Sequence, residues 1–382
     1  MQHVVLIMLA RHVSGAEHQT LALARYLGLE RRVTLLANDE LAGLLAGDPF
    51  LRRYSAGLAV QRLGPAFPER ARGRLRGALS RGRLYLRLQQ ALGRALRALR
   101  PDVVHLVLAP TFFAYAPHFR RLPYPVVLTL AGEMRYVRHF YGAGKRLAVR
   151  HAAARADALV VCSADEMVNL AAVAPRAVSR ATLIDNFTDV ARFAPAAQKA
   201  PLVAFAARLH PEKGALLFVE AAARVRATHP AARFALMGRG EEDAAVAARL
   251  SALGLRDAVR RDYATDLAPL FARASVFVSC QRHENLGSSS LLEAMASGDA
   301  VVATDVGQTW RIVDERVGRR VAPSPEALAA AIGAMLDDPQ GTAVLGAAAR
   351  ERVLAGYGPG PYVARLLSVY EQAAQRRAGA IV

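Results

Sequence analysis

Short apolar runs of β type recur along this chain between stretches of helical periodicity, and they come in two series. The first comprises Val4 to Leu9, Val33 to Ala37, Asp102 to Val107, Val126 to Leu130, Ala158 to Cys162 and Ala181 to Ile184. The second comprises Leu202 to Ala206, Phe234 to Met237, Ala274 to Ser279 and Ala300 to Thr304. Runs that are apolar throughout, instead of alternating, describe strands covered on both faces, which is the signature of a parallel sheet between helices. Their alternation with helical segments predicts an α/β chain of doubly wound parallel sheets. Between the series the pattern breaks into a small-residue linker from Phe193 to Lys199. The expectation is two Rossmann-like domains, 1–196 and 197–360, with the helical segment 361–382 joined to the first. Ligands of such sheets sit in a cleft at the strand C-termini. A chain of 382 residues is long enough to bury two full cores.

Several classes are excluded early. No apolar run approaches the roughly 20 residues of a membrane span. The opening Met1 to Leu9 lacks a basic leader and reads as a first strand. Cys162 and Cys280 each follow a β-type run, so buried free thiols and a cytoplasmic setting are expected, and two cysteines give no metal cluster. The net charge of +18 is uneven. Arginine recurs from Arg52 through Arg70, Arg72, Arg74, Arg76, Arg81, Arg83, Arg87, Arg94 and Arg97 to Arg100, with leucines interleaved at near-helical spacing. A basic amphipathic surface suits an anionic membrane surface, which predicts a peripheral position on the inner membrane face. A solvated helix face is the plainer alternative. Nucleic acid is disfavoured, because aromatic stacking residues are scarce there.

The chemistry concentrates in the second series. His283 to Ala296 runs from a strand end, through Gly287 and three serines, into the strong helix formers Leu291, Leu292, Glu293, Ala294, Met295 and Ala296. Unpaired amides at a helix N-terminus attract anions, and here Glu284 and Glu293 flank that loop. Two carboxylates beside an anion site suggest hydroxyls gripped next to a phosphate, as in a nucleotide-sugar. Upstream, Ala206 to Gly214 places Arg208 and Lys213 on one strand-to-helix loop, where a forked and a compact cation can meet a diphosphate. Met237-Gly238-Arg239-Gly240-Glu241 ends another strand, with glycines that permit a tight turn or close approach to a ligand. Ser14-Gly15-Ala16-Glu17 opens the first helix, where the Gly15 amide could face a phosphate.

Together these elements resemble the retaining glycosyltransferases of family 4, the group 1 glycosyl transferases with the GT-B fold. The resemblance covers nearly the whole chain and is strongest from Leu202 to Val313. It implies a sugar transfer from a nucleoside-diphosphate sugar, UDP- or GDP-linked, to a lipid-linked or polysaccharide acceptor of the envelope, with no cofactor and no metal. By that resemblance Arg208, Lys213 and Glu284 are catalytic. Gly15, Gly238, Ser289, Ser290, Leu291 and Glu293 hold the donor, with Glu284 on sugar hydroxyls and Glu293 on the ribose. The residues around Arg261-Asp262-Tyr263 lie where relatives hold the base, and the last helix is expected to return to the first domain. Asn186, in the element Asp185 to Pro195, would fix loop conformation through side-chain-to-backbone bonds.

Two departures from the family pattern stand out. The two glutamates are separated by eight residues, one more than the pattern, so Asn285 occupies the strict position. Ala131 stands where many members place a histidine, leaving Glu133 or Arg135 as acceptor-side candidates. The alternatives to a transferase are a sugar-nucleotide epimerase or hydrolase on the same fold, and a non-catalytic donor-binding protein at the membrane.

Overall fold

The computed structural model describes residues 1–64, 74–107, 111, 122–139, 142–285 and 287–379. The chain forms two compact units, Met1–Asp185 with Gly360–Val382, and Asn186–Pro359. In the first, the elements run β1 (His3–Met8), α1 (Gly15–Gly28), β2 (Arg32–Ala37), α2 (Asp39–Gly47), α3 (Pro49–Tyr54), β3 (Ala59–Arg62), α4 (Arg74–Leu99), β4 (Val103–Val107) and β5 (Val126–Leu130). They continue with α5 (Glu133–His139), α6 (Ala143–Arg155), β6 (Ala158–Val161), α7 (Ala164–Val173) and β7 (Ala181–Leu183). The seven strands are parallel, in the order β3-β2-β1-β4-β5-β6-β7.

β3 is a strand that the apolar pattern did not predict. All four of its residues are exposed at the sheet edge, so no buried face marks it in the sequence. The leucines of the arginine-rich segment have a place in the core. Leu84, Leu88, Leu92 and Leu96 recur every fourth residue on α4 and pack into the core with Val5 and Ile7 of β1 and Val104 and Leu106 of β4. These four leucines are therefore consumed by folding, while Leu86 and Arg83, Arg87, Arg94 and Arg97 remain exposed. Arg70 and Arg72 lie outside the described residues, as do the side chains of Arg74, Arg76 and Arg81. No helix of the described residues is long and apolar enough to cross a membrane.

The second unit runs β8 (Leu202–Ala206), α8 (Ala215–Thr228), β9 (Arg233–Met237), α9 (Asp243–Ala252), β10 (Val259–Asp262), α10 (Ala268–Arg273) and β11 (Val276–Ser279). It continues with α11 (Ser289–Ala296), β12 (Ala300–Thr304), β13 (Gly318–Val321), α12 (Pro325–Asp337) and α13 (Pro339–Gly356). Its six strands are parallel in the order β10-β9-β8-β11-β12-β13. Successive residues of β8 serve opposite faces. Val203 and Phe205 pack with Phe218 and Val219 of α8, whereas Ala204 and Ala206 pack with Leu291 and Met295 of α11. Both faces are apolar because both are covered by helices, which is why the strand sequence does not alternate.

The boundary between units falls at Asp185/Asn186, earlier than the linker composition indicates. Residues 186–196 already belong to the second unit. Asn186 donates to the Gly287 carbonyl, the Thr188 amide bonds the Tyr357 carbonyl, and Phe193 is buried in that core. Lys199 then reaches the carbonyls of Phe271 and Ala274 and the buried carboxylate of Asp299. The last helix, α14 (Pro359–Gly379), returns to the first unit. There Tyr370 is hydrogen-bonded to His105 of β4 at 2.7 Å, and His105 to Thr129 of β5 at 2.7 Å. Complete burial keeps His105 neutral, with its pKa held down at about 3.

Candidate active site

Each sheet reverses its direction of strand addition once, between β1 and β4 and between β8 and β11. Connections on either side of such a reversal run to opposite faces, which opens a crevice at the strand C-termini. In the second unit the β8–α8 and β11–α11 loops meet there and are bound to each other. Gly214 has φ +72, and a Cβ on it would overlap the Cys280 carbonyl, so only glycine allows this approach. The Lys213 ammonium donates to Gln281 Oε1 at 2.6 Å. The Arg282 amide donates to the Glu212 carbonyl at 3.0 Å, and His283 Nε2 lies 2.7 Å from Glu212 Oε2. Lys213 is thus held at the junction of the two loops. Arg208, on the same loop, is exposed and makes no ion pair among the described residues.

The displaced spacing of the two glutamates has a structural resolution. Asn285, at the strict position, is fully buried. Its amide oxygen accepts from Ser279 Oγ at 2.5 Å, and its nitrogen donates to Thr304 O at 2.8 Å and Thr309 Oγ1 at 3.0 Å. It joins the ends of β11 and β12 and has no access to a ligand. Glu284 is half-buried, and its Oε2 accepts from the Gln308 amide at 2.8 Å. Gly307, at φ +54, makes room for this, since a Cβ there would press on the Glu284 carboxylate. The extra residue therefore turns Asn285 inward and leaves Glu284 half-buried, with Oε2 bonded to the Gln308 amide. Neither the Asn285 anchor nor the Gln308 contact carries a local sequence signal, because both depend on the neighbouring strand β12.

At the other end of the loop, α11 begins at Ser289. Ser289, Ser290 and Leu291 occupy its first turn, where amides have no partner within the helix, and the Leu292 amide is the first to bond back, to the Ser288 carbonyl at 3.2 Å. Gly287 (φ +91) supplies the carbonyl that Asn186 Nδ2 grips at 2.6 Å. Asn186 is thus a structural tether, though of the serine loop and not of its own. Glu293 lies within α11, only 8% exposed, and no hydrogen bond from a described residue reaches its carboxylate. Burial pushes its pKa up to about 7, with Arg192 opposing and Asp266 adding to the rise.

The glycine turn after β9 is shaped by packing. A Cβ on Gly238 would overlap the Ala207 carbonyl, and one on Gly240 the Leu209 carbonyl. The Gly238 amide is spent on the Asp262 carbonyl at 2.9 Å, so Gly238 can serve a ligand by leaving space and not by donating. Beside it the Arg239 guanidinium lies 4.3 Å from the Tyr263 ring centroid.

In the first unit, Gly15 is the first residue of α1. The Glu17 carboxylate folds back to accept from the Ser14 amide at 2.9 Å and the Ser14 hydroxyl at 2.6 Å. Arg135 is half-buried on α5, and the side chain of Glu133 lies outside the described residues. The α5 N-terminus is capped by the buried Glu166, which accepts from the Met134 amide at 2.8 Å, a contact that nothing in the local sequence announces. The two cysteines are free and buried, as expected.

Comparison with known proteins agrees with this arrangement. The family described as Glycosyltransferase Family 4 matches residues 13–192, and that described as Glycosyl transferases group 1 matches residues 200–338. A glycogen synthase of Mycobacterium tuberculosis is 30% identical over 277 residues, 68% of this chain and 66% of that protein. A phosphatidyl-myo-inositol mannosyltransferase of Mycolicibacterium smegmatis is 33% identical over 212 residues, 50% of this chain and 52% of the other. The match thus spans about half to two thirds of these relatives' length. Among solved structures, a sucrose-phosphate synthase from Thermosynechococcus elongatus superimposes with a TM-score of 0.77 at 20% identity, over 97% of this chain and 99% of that one. Anabaena HepE, in complex with UDP and glucose, gives 0.75 at 19% identity, over 99% and 100%. These structures share the two-sheet GT-B architecture. The chain belongs to the glycosyl transferases of group 1 and family 4.

Proposed function

We propose that the protein is a retaining, metal-independent glycosyltransferase that moves a sugar from a nucleoside-diphosphate sugar to a lipid-linked or polysaccharide acceptor. The observation that carries this reading is the β8/β11 reversal point. The two loops there carry Lys213 at their junction, Arg208, Glu284 held by the Gln308 amide, and the N-terminus of the helix in which Glu293 is buried. HepE, similar over its whole length, was solved with UDP-glucose, which supports a donor of that class.

In this reading the diphosphate lies against Arg208, Lys213 and the first amides of α11, which stabilise the charge of the leaving group as the sugar–phosphate bond breaks. Glu284, positioned in part by the Gln308 amide, meets the donor sugar hydroxyls, and Glu293 takes the ribose. The acceptor hydroxyl attacks the anomeric carbon on the face the phosphate leaves, and its proton passes to a phosphate oxygen. No carboxylate nucleophile is used, and the product keeps the donor's anomeric configuration. Gly15 is the candidate phosphate contact of the first unit, with Glu133 and Arg135 as its acceptor-side candidates.

The exposed arginines of α4, with exposed Leu147 between Arg146 and Arg150 on α6, support electrostatic attachment to an anionic bilayer at the inner membrane face. Flotation with anionic vesicles is expected at low salt and release at high salt. Equal flotation with neutral vesicles would refute the electrostatic attachment.

The catalytic reading is tested by incubating the protein with nucleotide-sugars and extracted glycolipid, and following product anomers by NMR. Transfer with retained configuration is expected. Release of nucleotide at the same rate without acceptor would instead indicate a hydrolase or epimerase, and tight donor binding without any transfer a non-catalytic protein.

A further inference from the structure

The ammonium of Lys213 ends a flexible stem, and a cation that must meet a diphosphate in one place gains from being held there beforehand. The structure supplies a holder. Lys213 Nζ donates to Gln281 Oε1 at 2.6 Å, across 68 residues of sequence. An ammonium can only donate, so this contact fixes which end of the Gln281 amide faces it. The backbone around Gln281 is bonded on both sides. Its carbonyl accepts from Thr304 Oγ1 at 2.6 Å, and the next amide, that of Arg282, donates to the Glu212 carbonyl at 3.0 Å. Thr304 is fully buried, and its own carbonyl accepts from Asn285 Nδ2 at 2.8 Å. The Cys280 carbonyl, one residue before Gln281, presses so closely on Gly214 that no Cβ fits there. On the other loop the Lys213 amide donates to the His210 carbonyl at 2.8 Å. Both ends of the Lys213–Gln281 bond therefore rise from anchored backbone.

The chemistry of the acceptor matters as much as its position. A carboxylate at this point would offset part of the ammonium's charge and compete with an incoming phosphate. An amide oxygen orients the ammonium and adds no charge of its own. We propose that Gln281 is a positioning residue for diphosphate recognition: its neutral amide oxygen, set by Thr304 and the β11 end, holds the Lys213 ammonium at the loop junction before the ligand arrives. The inference rests on the donor reading above and deepens it, since Gln281 acts through Lys213. It requires that the two residues be coupled in binding, and that the acceptor be uncharged.

Calorimetric titrations of the full chain with UDP, GDP, ADP and dTDP identify the best-bound nucleotide, which is then compared across variants. Gln281→Met removes the acceptor at similar length. It is expected to weaken diphosphate binding about three- to tenfold, the cost of immobilising one long side chain on binding. In a Lys213→Ala background the same change should alter affinity by less than about twofold, because the residue through which it acts has gone. Gln281→Glu keeps the shape and the acceptor, so thermal stability should be equal or higher. Its diphosphate affinity should nonetheless fall at least about tenfold at low salt and recover partly at high salt. Should Gln281→Met fail to fold, Gln281→Glu decides the matter alone. No loss in a folded Gln281→Met, equal losses with and without Lys213, or a folded Gln281→Glu of wild-type affinity would overturn the proposal while leaving the donor site standing. A wild-type protein that binds none of the four nucleotides would overturn the donor reading itself, and the proposal with it.

Discussion

The two units contain the same topological device, and comparing the two is instructive. Each sheet starts a new direction between its first and fourth strands, β1/β4 in one and β8/β11 in the other. In the second unit the loops at that point carry Lys213, Arg208 and Glu284 and are tied to each other by Gly214/Cys280, Lys213/Gln281 and Glu212/His283, while Gln308 of the loop after β12 bonds Glu284. In the first unit the corresponding loop is closed on itself. Glu17 occupies Ser14, Asn38 bonds both backbone groups of Ala10, and Arg11 lies 3.7 Å from Glu40. A carboxylate already at the α1 N-terminus reduces the attraction of that terminus for an anion. Topology supplies the reversal point twice, and the described loops at the two differ in chemistry.

Substitutions can break this contrast, beginning with the largest effect. Lys213→Ala is expected to lower donor turnover by about 100- to 1000-fold, the usual cost of removing one charge-stabilising group, with thermal stability nearly unchanged. Near-normal turnover would erase the distinction between the two crevices. Asn285→Ala should cost about 3 kcal/mol in denaturant unfolding, because it strands the Ser279 hydroxyl in the core and removes the donor that reaches Thr304 and Thr309. Glu284→Gln, by contrast, should reduce turnover with little loss of stability, which separates the neighbours into a structural and a catalytic residue. Gly214→Ala forces a side chain into the left-handed region against Cys280 and is expected to destabilise the second unit by about 2 kcal/mol, read as a lowered melting temperature. Gly15→Ala, in the self-capped loop, should leave the donor KM within about threefold, since alanine keeps the backbone amide. A larger effect there than at Lys213 would reverse the assignment.

Much of this was legible in the chain, for physical reasons. Buried parallel strands are apolar throughout, so all but the short edge strands announced themselves. Arg208, Lys213 and the serine loop lie at strand ends followed by helix starts, a local pattern that places them at the sheet's C-terminal edge. What escaped were features set by partners distant in sequence. β3 is exposed and pairs only at an edge. The leucines of α4 look free for lipid until the sheet they cover is seen. The choice between Glu284 and Asn285 depends on Thr304, Gln308 and Thr309 of the next loop. Arg192 reads as one more surface arginine, because Asp266 reaches it only through folding.

The central claim is that the β8/β11 crevice recognises a diphosphate through Lys213. It is tested most directly by titrating the wild type and Lys213→Ala with the diphosphate and the monophosphate of the same nucleoside. The account predicts tight diphosphate binding that weakens at least about tenfold in the variant, with the monophosphate much less affected, since one charge-assisted contact has gone. Equal losses for both nucleotides, or no loss for either, would contradict it.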